Sequence, residues 1–252
     1  MHSKLRAPRK RSSRSTTTKE SPKRPPLTAF KRFVEDDTIR RVSHDEYRAK
    51  VQDVYGGPQG AMLAAASMVS LHLPLTERLF RSRKFDLAGM TSILDVGSGA
   101  GQLAQHLIKY GDAGAAITCI DLSQPMLRRA RNRLKGGDPA YVAADLSALP
   151  FADDSFDGVT CGYVLEHLPD PRTGLAELAR VMRRGARMFL LVTEDSFSGA
   201  WTSRIWCCQT YNRKELMRLC ETLDLRWKQE LWFTGLHRVM RAGGICVEIE
   251  KA

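Results

Sequence analysis

From residue 92 onward, short apolar runs alternate with amphipathic segments. Five runs are nearly continuous in apolar character: SILDV, AITCID, AYVAAD, FDGVTCG and ARMFLLVT. Three segments between them have helical periodicity: GQLAQHLIKYG, QPMLRRARNRLKGG and PRTGLAELARVMRRG. After residue 211 the pattern predicts one more helix, NRKELMRLCETLD, and two further strands, RWKQELWF and ICVEIEK. Apolar strands separated by helices are typical of a parallel sheet covered on both faces, so residues 89–252 are predicted to form an α/β domain.

Residues 27–88 follow a different pattern, which is helical and contains no strand candidate. The segment SHDEYRAKVQDVYG starts with Ser43 as a helix-capping residue, has acids in its first turn and is followed by the stop signal GGP. A second helix is predicted over residues 59–71 and a third after Pro74. Short helices are marginally stable alone, so we expect this segment to pack on the sheet as an N-terminal helical lid.

Residues 1–26 contain three apolar side chains, nine Lys or Arg and one acid. Such a segment buries too little surface to offset its ordering entropy, which predicts a disordered basic tail. The tail supplies most of the chain's net charge of +11, so the rest is close to neutral. Its RKRSSR run is compatible with a nuclear address or with weak contact to an anionic surface or nucleic acid, although a solvated tail is the favoured interpretation.

The six cysteines show no CxxC pair, which favours a reduced, cytoplasmic chain and no metal site. The longest apolar stretch, residues 61–75, is too short to cross a bilayer and is interrupted by His72 and Pro74. We therefore expect a protein without a transmembrane segment. The sequence does not indicate an oligomeric state.

The turn after the first predicted strand contains candidate ligand-binding residues. In ILDVGSGAGQLAQHL the glycines Gly97, Gly99 and Gly101 allow positive φ angles and a close approach of the backbone to a ligand, just before a helix N-terminus. Asp95 precedes them, while Asp121 and Asp145 end the second and third predicted strands. Because the carboxyl ends of parallel strands meet in one crevice, we expect these three acids to converge on a nucleotide-like ligand.

Two cofactor classes fit a glycine-rich turn followed by an acid. Dinucleotide sites favour GxGxxG, whereas this turn has the spacing GxGxG with Asp95 two residues before the first glycine. A pyrophosphate is repelled by a nearby carboxylate, but a ligand with an amino group and a sulfonium cation is attracted to it. The site therefore suits S-adenosylmethionine better than NAD.

Four segments together resemble the class I S-adenosylmethionine-dependent methyltransferases, and within them the ubiquinone/menaquinone C-methyltransferases. They are LDVGSGAG, CIDLSQPML, AADLSALPFADDSFDGVTCGYVLEHLPDP and RVMRRGARMFLLVTE. The resemblance implies a Rossmann-like, doubly wound sheet of seven strands in the order 3-2-1-4-5-7-6, with the last strand antiparallel.

The resemblance also assigns cofactor contacts. It implies that Asp95 lies beside the methionine part with the three glycines around it, and that Asp121 accepts the ribose hydroxyls. Three further residues would flank the adenine: Leu122, Asp145 and Leu146. The backbone of Cys161 and Gly162 would border the methyl group.

Methyl transfer requires that the nucleophile be aligned about 3–3.5 Å from the methyl group, and a general base helps when that nucleophile carries a proton. His167 is the best base candidate because it follows the fourth strand in LEHLPDP, although bracing of the loop is the favoured interpretation of this residue. The weaker candidates are Tyr163, Glu166, His72 and His44. The aromatic residues of the lid and of FSGAWTSRIWCCQTY predict an apolar pocket for a small, lipid-like or aromatic acceptor. The alternative is an RNA or protein acceptor bound through the basic tail.

Overall fold

The structure, a computed structural model, describes residues 72–196, 208–240 and 243–252. Its strands are β1 Ser92–Val96, β2 Ala116–Asp121, β3 Ala140–Ala143, β4 Phe156–Gly162, β5 Met182–Val192, β6 Leu225–Glu230 and β7 Ile245–Lys251. They form one sheet in the order β3-β2-β1-β4-β5-β7-β6. The predicted α/β class and strand order are confirmed.

Strand direction determines where a site can form. β1 to β5 are parallel to one another, whereas β7 is antiparallel to both of its neighbours, β5 and β6. The last strand is therefore the reversed one, as expected. The last residues of β1, β2, β4 and β5 lie at one border of the sheet, which we call the carboxyl edge.

The helices in the described residues connect these strands. They are α1 His72–Arg81, α2 Ala104–Tyr110, α3 Gln124–Arg133, α4 Pro171–Val181, α5 Arg213–Glu221 and α6 Gly235–Met240, with a 3₁₀ turn at Leu165–His167. Two of them have side-chain N-caps: Asp170 accepts from the N–H of Arg172 at the start of α4, and Asn212 accepts from that of Lys214 at the start of α5. These caps satisfy N–H groups that have no partner inside a helix.

The core has two layers because side chains alternate across the strands. On one face, Leu94 and Val96 of β1 join a cluster that includes residues of α4 and α5. On the other face, Ile93 joins a cluster with residues of α1, α2 and α3. Both faces of the sheet are thus covered, which explains why the strands read as continuous apolar runs.

Three local outcomes differ from the sequence pattern or extend it. Residues 182–185, expected to continue α4, begin β5 instead, because Met182 pairs with Phe156 of β4. α6 was not predicted from the sequence. The helix expected after Pro74 is present as α1, which begins at His72.

The predicted basic tail, the first two lid helices and the aromatic segment at 197–207 lie outside the described residues, so the domain boundaries stay predictions.

Candidate active site

The glycine-rich turn leaves β1 at the carboxyl edge in a left-handed conformation. Gly97, Gly99 and Gly101 have φ angles of 63°, 53° and 83°. A Cβ atom at Gly97 would collide with the side chain of Val164, which follows β4. Only glycine combines this φ with this close packing, so the backbone of the turn itself faces the space between the strand ends.

Asp95 lies inside β1, opposite Thr160 of β4. Its side chain is fully buried, and Oδ1 accepts a 2.6 Å hydrogen bond from the Thr160 hydroxyl. Burial raises the pKa of Asp95 to about 6. Among the described residues its second oxygen, Oδ2, has no hydrogen-bond partner of good geometry, although the Ser98 hydroxyl and the Ala104 N–H also act to lower the pKa of this carboxyl. A buried carboxyl with one unpaired oxygen is costly, and a cationic ligand would relieve that cost.

Asp121 is the last residue of β2. Its Oδ2 accepts from the N–H of Gly99 at 2.9 Å, and its Oδ1 accepts from the N–H of Ser123 at 2.8 Å. Burial raises the pKa of this carboxyl. Each carboxylate oxygen has two lone pairs, so Asp121 can still accept two hydroxyl hydrogen bonds while its backbone contacts hold it in place.

The three residues expected around adenine differ in their burial and in their contacts. Leu122 is half-buried directly after β2. Asp145 lies two residues beyond β3, where its Oδ1 accepts from the N–H and hydroxyl of Ser147. Leu146 is 4% exposed and belongs to the core cluster that includes residues of α4. The sequence did not indicate this burial of Leu146, because the partners come from a distant helix.

The turn after β4 contains Cys161, Gly162 and Tyr163. Burial raises the pKa of the Cys161 thiol, so the thiol is protonated. Tyr163 has a φ of 57°, a left-handed conformation that costs energy for a residue other than glycine. Its N–H donates to the carbonyl of Leu191 at 2.7 Å, which holds the turn against β5. Burial raises the pKa of Tyr163 well above its usual value, so its phenol can donate a hydrogen bond but is a poor base.

His167 ends the 3₁₀ turn, half-buried. Burial lowers its pKa to about 4. Desolvation disfavours the imidazolium, which explains the direction of this shift. His167 is neutral at physiological pH, and it holds a proton only weakly.

Glu166 is the residue that the sequence undervalued. Its carboxyl is buried beside Thr193, and burial raises its pKa to about 7. The motif LEHLPDP shows an acid next to a histidine, but it does not show which of the two points inward. The described residues contain no cluster of His, Cys, Asp or Glu arranged to hold a metal ion.

Comparison with known proteins agrees with this geometry. Residues 94–190 match the model of a family described as a methyltransferase domain. Over 99 residues the chain is 41% identical to the demethylmenaquinone methyltransferase of Clavibacter sepedonicus, which covers 39% of each protein. The chain is thus similar to the class I methyltransferases over this domain. The expected resemblance is confirmed.

Two further similarities extend beyond the core of the methyltransferase domain. Over 163 residues the chain is 27% identical to the ubiquinone/menaquinone biosynthesis C-methyltransferase of Serratia proteamaculans, covering 62% of this chain and 64% of that protein. The structure of magnesium protoporphyrin IX methyltransferase from Synechocystis PCC 6803, solved with bound SAH, superposes with a TM-score of 0.64 at 15% identity. That match covers 81% of this chain and all of the other. The chain thus spans less than two thirds of the length of the Clavibacter and Serratia relatives.

Proposed function

We propose that the protein transfers a methyl group from S-adenosylmethionine to a small, apolar acceptor of the lipid-like or aromatic class. The observation that carries the proposal is the buried, unpaired Oδ2 of Asp95 beside the left-handed turn of Gly97 and Gly99. A buried carboxyl beside a half-buried glycine turn fits a ligand that is cationic at one end.

The residues fit the cofactor part by part. Asp95 would pair with the positively charged methionine end, and the backbone of the glycine turn would pass close to it. Asp121 would accept the ribose hydroxyls. Leu122 and the segment at Asp145 and Leu146 would border the adenine, with Leu146 acting from the core. A dinucleotide fits less well, because its pyrophosphate would lie near the carboxylate of Asp95.

When bound, the cofactor supplies an activated methyl group on a sulfonium, so the chain mainly has to align the acceptor and exclude water. The backbone at Cys161 and Gly162 would border the methyl group. We also propose catalytic positions for Tyr163 and His167. The protonated phenol of Tyr163 would donate a hydrogen bond to the acceptor, and the neutral imidazole of His167 would orient it.

The acceptor class rests on the named relatives, which act on demethylmenaquinone or in ubiquinone and menaquinone biosynthesis. These names support a small, lipid-like acceptor here. The comparisons give no support to an RNA or protein acceptor. Among the described residues, no helix is both long and apolar enough to span a membrane. We propose a cytoplasmic enzyme whose basic residues 1–26 make at most weak contacts with anionic surfaces.

Calorimetry with S-adenosylhomocysteine and with NAD tests the cofactor, and a screen of quinol, phenol and amine acceptors with methyl-labelled S-adenosylmethionine tests the acceptor. We expect S-adenosylhomocysteine binding, no tight NAD binding and label transfer to quinols or phenols. Tight NAD binding without S-adenosylhomocysteine binding would contradict the proposal.

A further inference from the structure

The carboxyl of Glu166 bridges the ends of two neighbouring strands. Glu166 lies in the 3₁₀ turn after β4, and Thr193 directly follows β5. The Oε1 atom of Glu166 accepts from the Thr193 hydroxyl at 2.9 Å and from its N–H at 3.3 Å. The residue is 2% exposed. An acidic side chain is therefore enclosed at the carboxyl edge, four to five residues after the backbone that would border the methyl group.

The other oxygen, Oε2, is also buried and has no hydrogen-bond partner in the described part of the chain. An ionised Glu166 lacks a donor at Oε2, and a protonated one lacks an acceptor for its O–H. In either state a buried polar atom is left unpaired, which native structures rarely tolerate outside functional sites. The unpaired oxygen is therefore open to a partner other than the described residues.

The groups around Glu166 do not offer it a counter-charge. Those that interact with it electrostatically are the thiol of Cys161 in β4 and the phenols of Tyr163 and Tyr211. Burial raises the pKa of all three, so they are neutral near pH 7. The Tyr211 hydroxyl already donates to the carbonyl of Leu165. Glu166 also belongs to no ion pair among the described residues.

We propose that Oε2 of Glu166 binds the hydroxyl hydrogen of a phenol- or enol-class acceptor and takes that proton during methyl transfer. This inference rests on the proposed function and names its acceptor chemistry. The acceptor O–H bond breaks and its proton moves to Oε2, while a bond forms between the acceptor nucleophile and the methyl carbon. The methyl–sulfur bond breaks with its electron pair left on sulfur. Glu166 then releases the proton to water.

Proton affinity favours Glu166 over its neighbour. Burial raises the pKa of Glu166 to about 7, whereas burial lowers that of His167 to about 4. A general base works best when its pKa is close to the working pH, so the carboxylate accepts a proton near neutrality more readily than the imidazole does.

The test is the pH dependence of turnover in the full chain, with the quinol or phenol that the wild-type protein methylates. For the wild type we expect turnover to rise with pH through about 7, because the ionised form of Glu166 is required. Glu166→Gln should lower kcat by about 10²–10⁴-fold and abolish this rise, with S-adenosylhomocysteine affinity unchanged. Glu215→Gln, at an exposed position of α5, is the matched control: it should leave both kcat and the rise near pH 7 unchanged.

Thr193→Val adds a second measurement, the pH profile of turnover, which would not change if Glu166 had only a structural role. It removes the hydroxyl that stabilises the ionised carboxyl, so the rise in turnover should shift to higher pH while activity recovers in alkaline buffer. Persistence of the rise in Glu166→Gln would overturn the proposal. A pH profile of turnover that does not shift in Thr193→Val would overturn it as well. This second test remains available even if Glu166→Gln does not fold.

Failure of this inference is separable from failure of the proposed function. Absence of S-adenosylhomocysteine binding or of any methylated acceptor in the wild type would contradict the proposed function before any variant is made. Carbon-13 NMR of protein labelled at its glutamate carboxyls measures the titration of Glu166 directly. Its resonance is identified as the one that is missing in Glu166→Gln. A carboxyl that titrates near pH 4 instead of about 7 would overturn the role of Glu166, whatever the turnover.

Discussion

The backbone N–H of Gly99 donates to Oδ2 of Asp121 across 2.9 Å, and this bond fastens the glycine-rich turn to the end of β2. The carboxylate assigned to the ribose therefore also holds the turn assigned to the methionine end. Binding and local structure are coupled through one side chain. A change at Asp121 should consequently affect cofactor affinity and the stability of the turn together.

Asp121→Ala should weaken S-adenosylmethionine binding by roughly 2–4 kcal/mol, because hydrogen bonds to a charged group contribute about 1.5–3 kcal/mol each and water replaces part of them. Calorimetry measures this directly. The matched control is Asp153→Ala, which removes a largely exposed ion pair with Arg180 and should leave affinity unchanged. Equal losses in the two variants would contradict the assignment of Asp121.

Gly97→Ala should destabilise the protein by about 2–4 kcal/mol, since it combines left-handed strain with the collision against Val164. Gly114→Ala separates these two causes: Gly114 has a φ of 89° and no atom within 4 Å of an added Cβ, so only about 1–2 kcal/mol is expected there. Thermal unfolding measures both. We expect Val164→Ala to reduce the cost of Gly97→Ala in a double-mutant cycle, and additive effects would show that the collision is unimportant.

Cofactor affinity should increase as the pH rises through about 6. Asp95 has a raised pKa of about 6 in the folded protein, so below that pH it is protonated and cannot pair with a cation. Calorimetry with S-adenosylhomocysteine between pH 5 and 7.5, in buffers of different ionisation enthalpy, should detect proton release on binding.

Two variants check the assignment of this proton to Asp95. Asp95→Asn should weaken binding at pH 7 and remove the pH dependence. Thr160→Val removes the 2.6 Å hydrogen bond that stabilises the ionised form, so the inflection should move to higher pH. An inflection that remains at about 6 in Asp95→Asn would assign the proton to another group.

Burial of Asp95 also makes a prediction for the free protein. The folded-state pKa of about 6 lies above the ordinary value of 3.8, so the folded state binds a proton more tightly than the unfolded state. The contribution of Asp95 to stability is therefore fully present below pH 3.8 and is lost as the pH rises through about 6. Urea unfolding of wild type and Asp95→Asn should show this difference, with Asp95→Asn less sensitive to pH across that interval.

Deletion of residues 1–26 should leave the melting temperature and small-acceptor turnover nearly unchanged, because the segment contains only three apolar side chains to bury. Differential scanning calorimetry and the label-transfer assay check the two quantities. Binding to anionic vesicles at low salt is the property that the deletion should reduce. A large loss of folding would mean that the segment is an ordered part of the enzyme.

The sequence alone predicted most of the sheet. Its strands are short apolar runs between amphipathic helices, and that pattern depends on each residue's own hydrophobicity and on periodicity over a few positions. The glycine-rich turn was equally predictable, because a left-handed backbone at Gly97, Gly99 and Gly101 is a local requirement. Asp121 was predictable from its place at the end of β2.

Other features depended on neighbours that are distant in sequence. Residues 182–185 look like the end of a helix, yet pairing of Met182 with Phe156 draws them into β5. Leu146 looks like a loop residue, but it is enclosed by the core of the sheet. Neither outcome can be read from a local pattern, since the competing contacts come from other elements.

The chemistry of the site divides in the same way. Residue type and order along the chain determined which side chains could act: the acids at the strand ends, the glycine turn and the pair Glu166-His167. Only the tertiary structure decided their protonation, because a pKa depends on burial and on partners such as Thr160 for Asp95 and Thr193 for Glu166, which lie 65 and 27 residues away. Folding therefore lowers the pKa of His167 and raises the pKa of Glu166, because desolvation disfavours the charged form of each side chain.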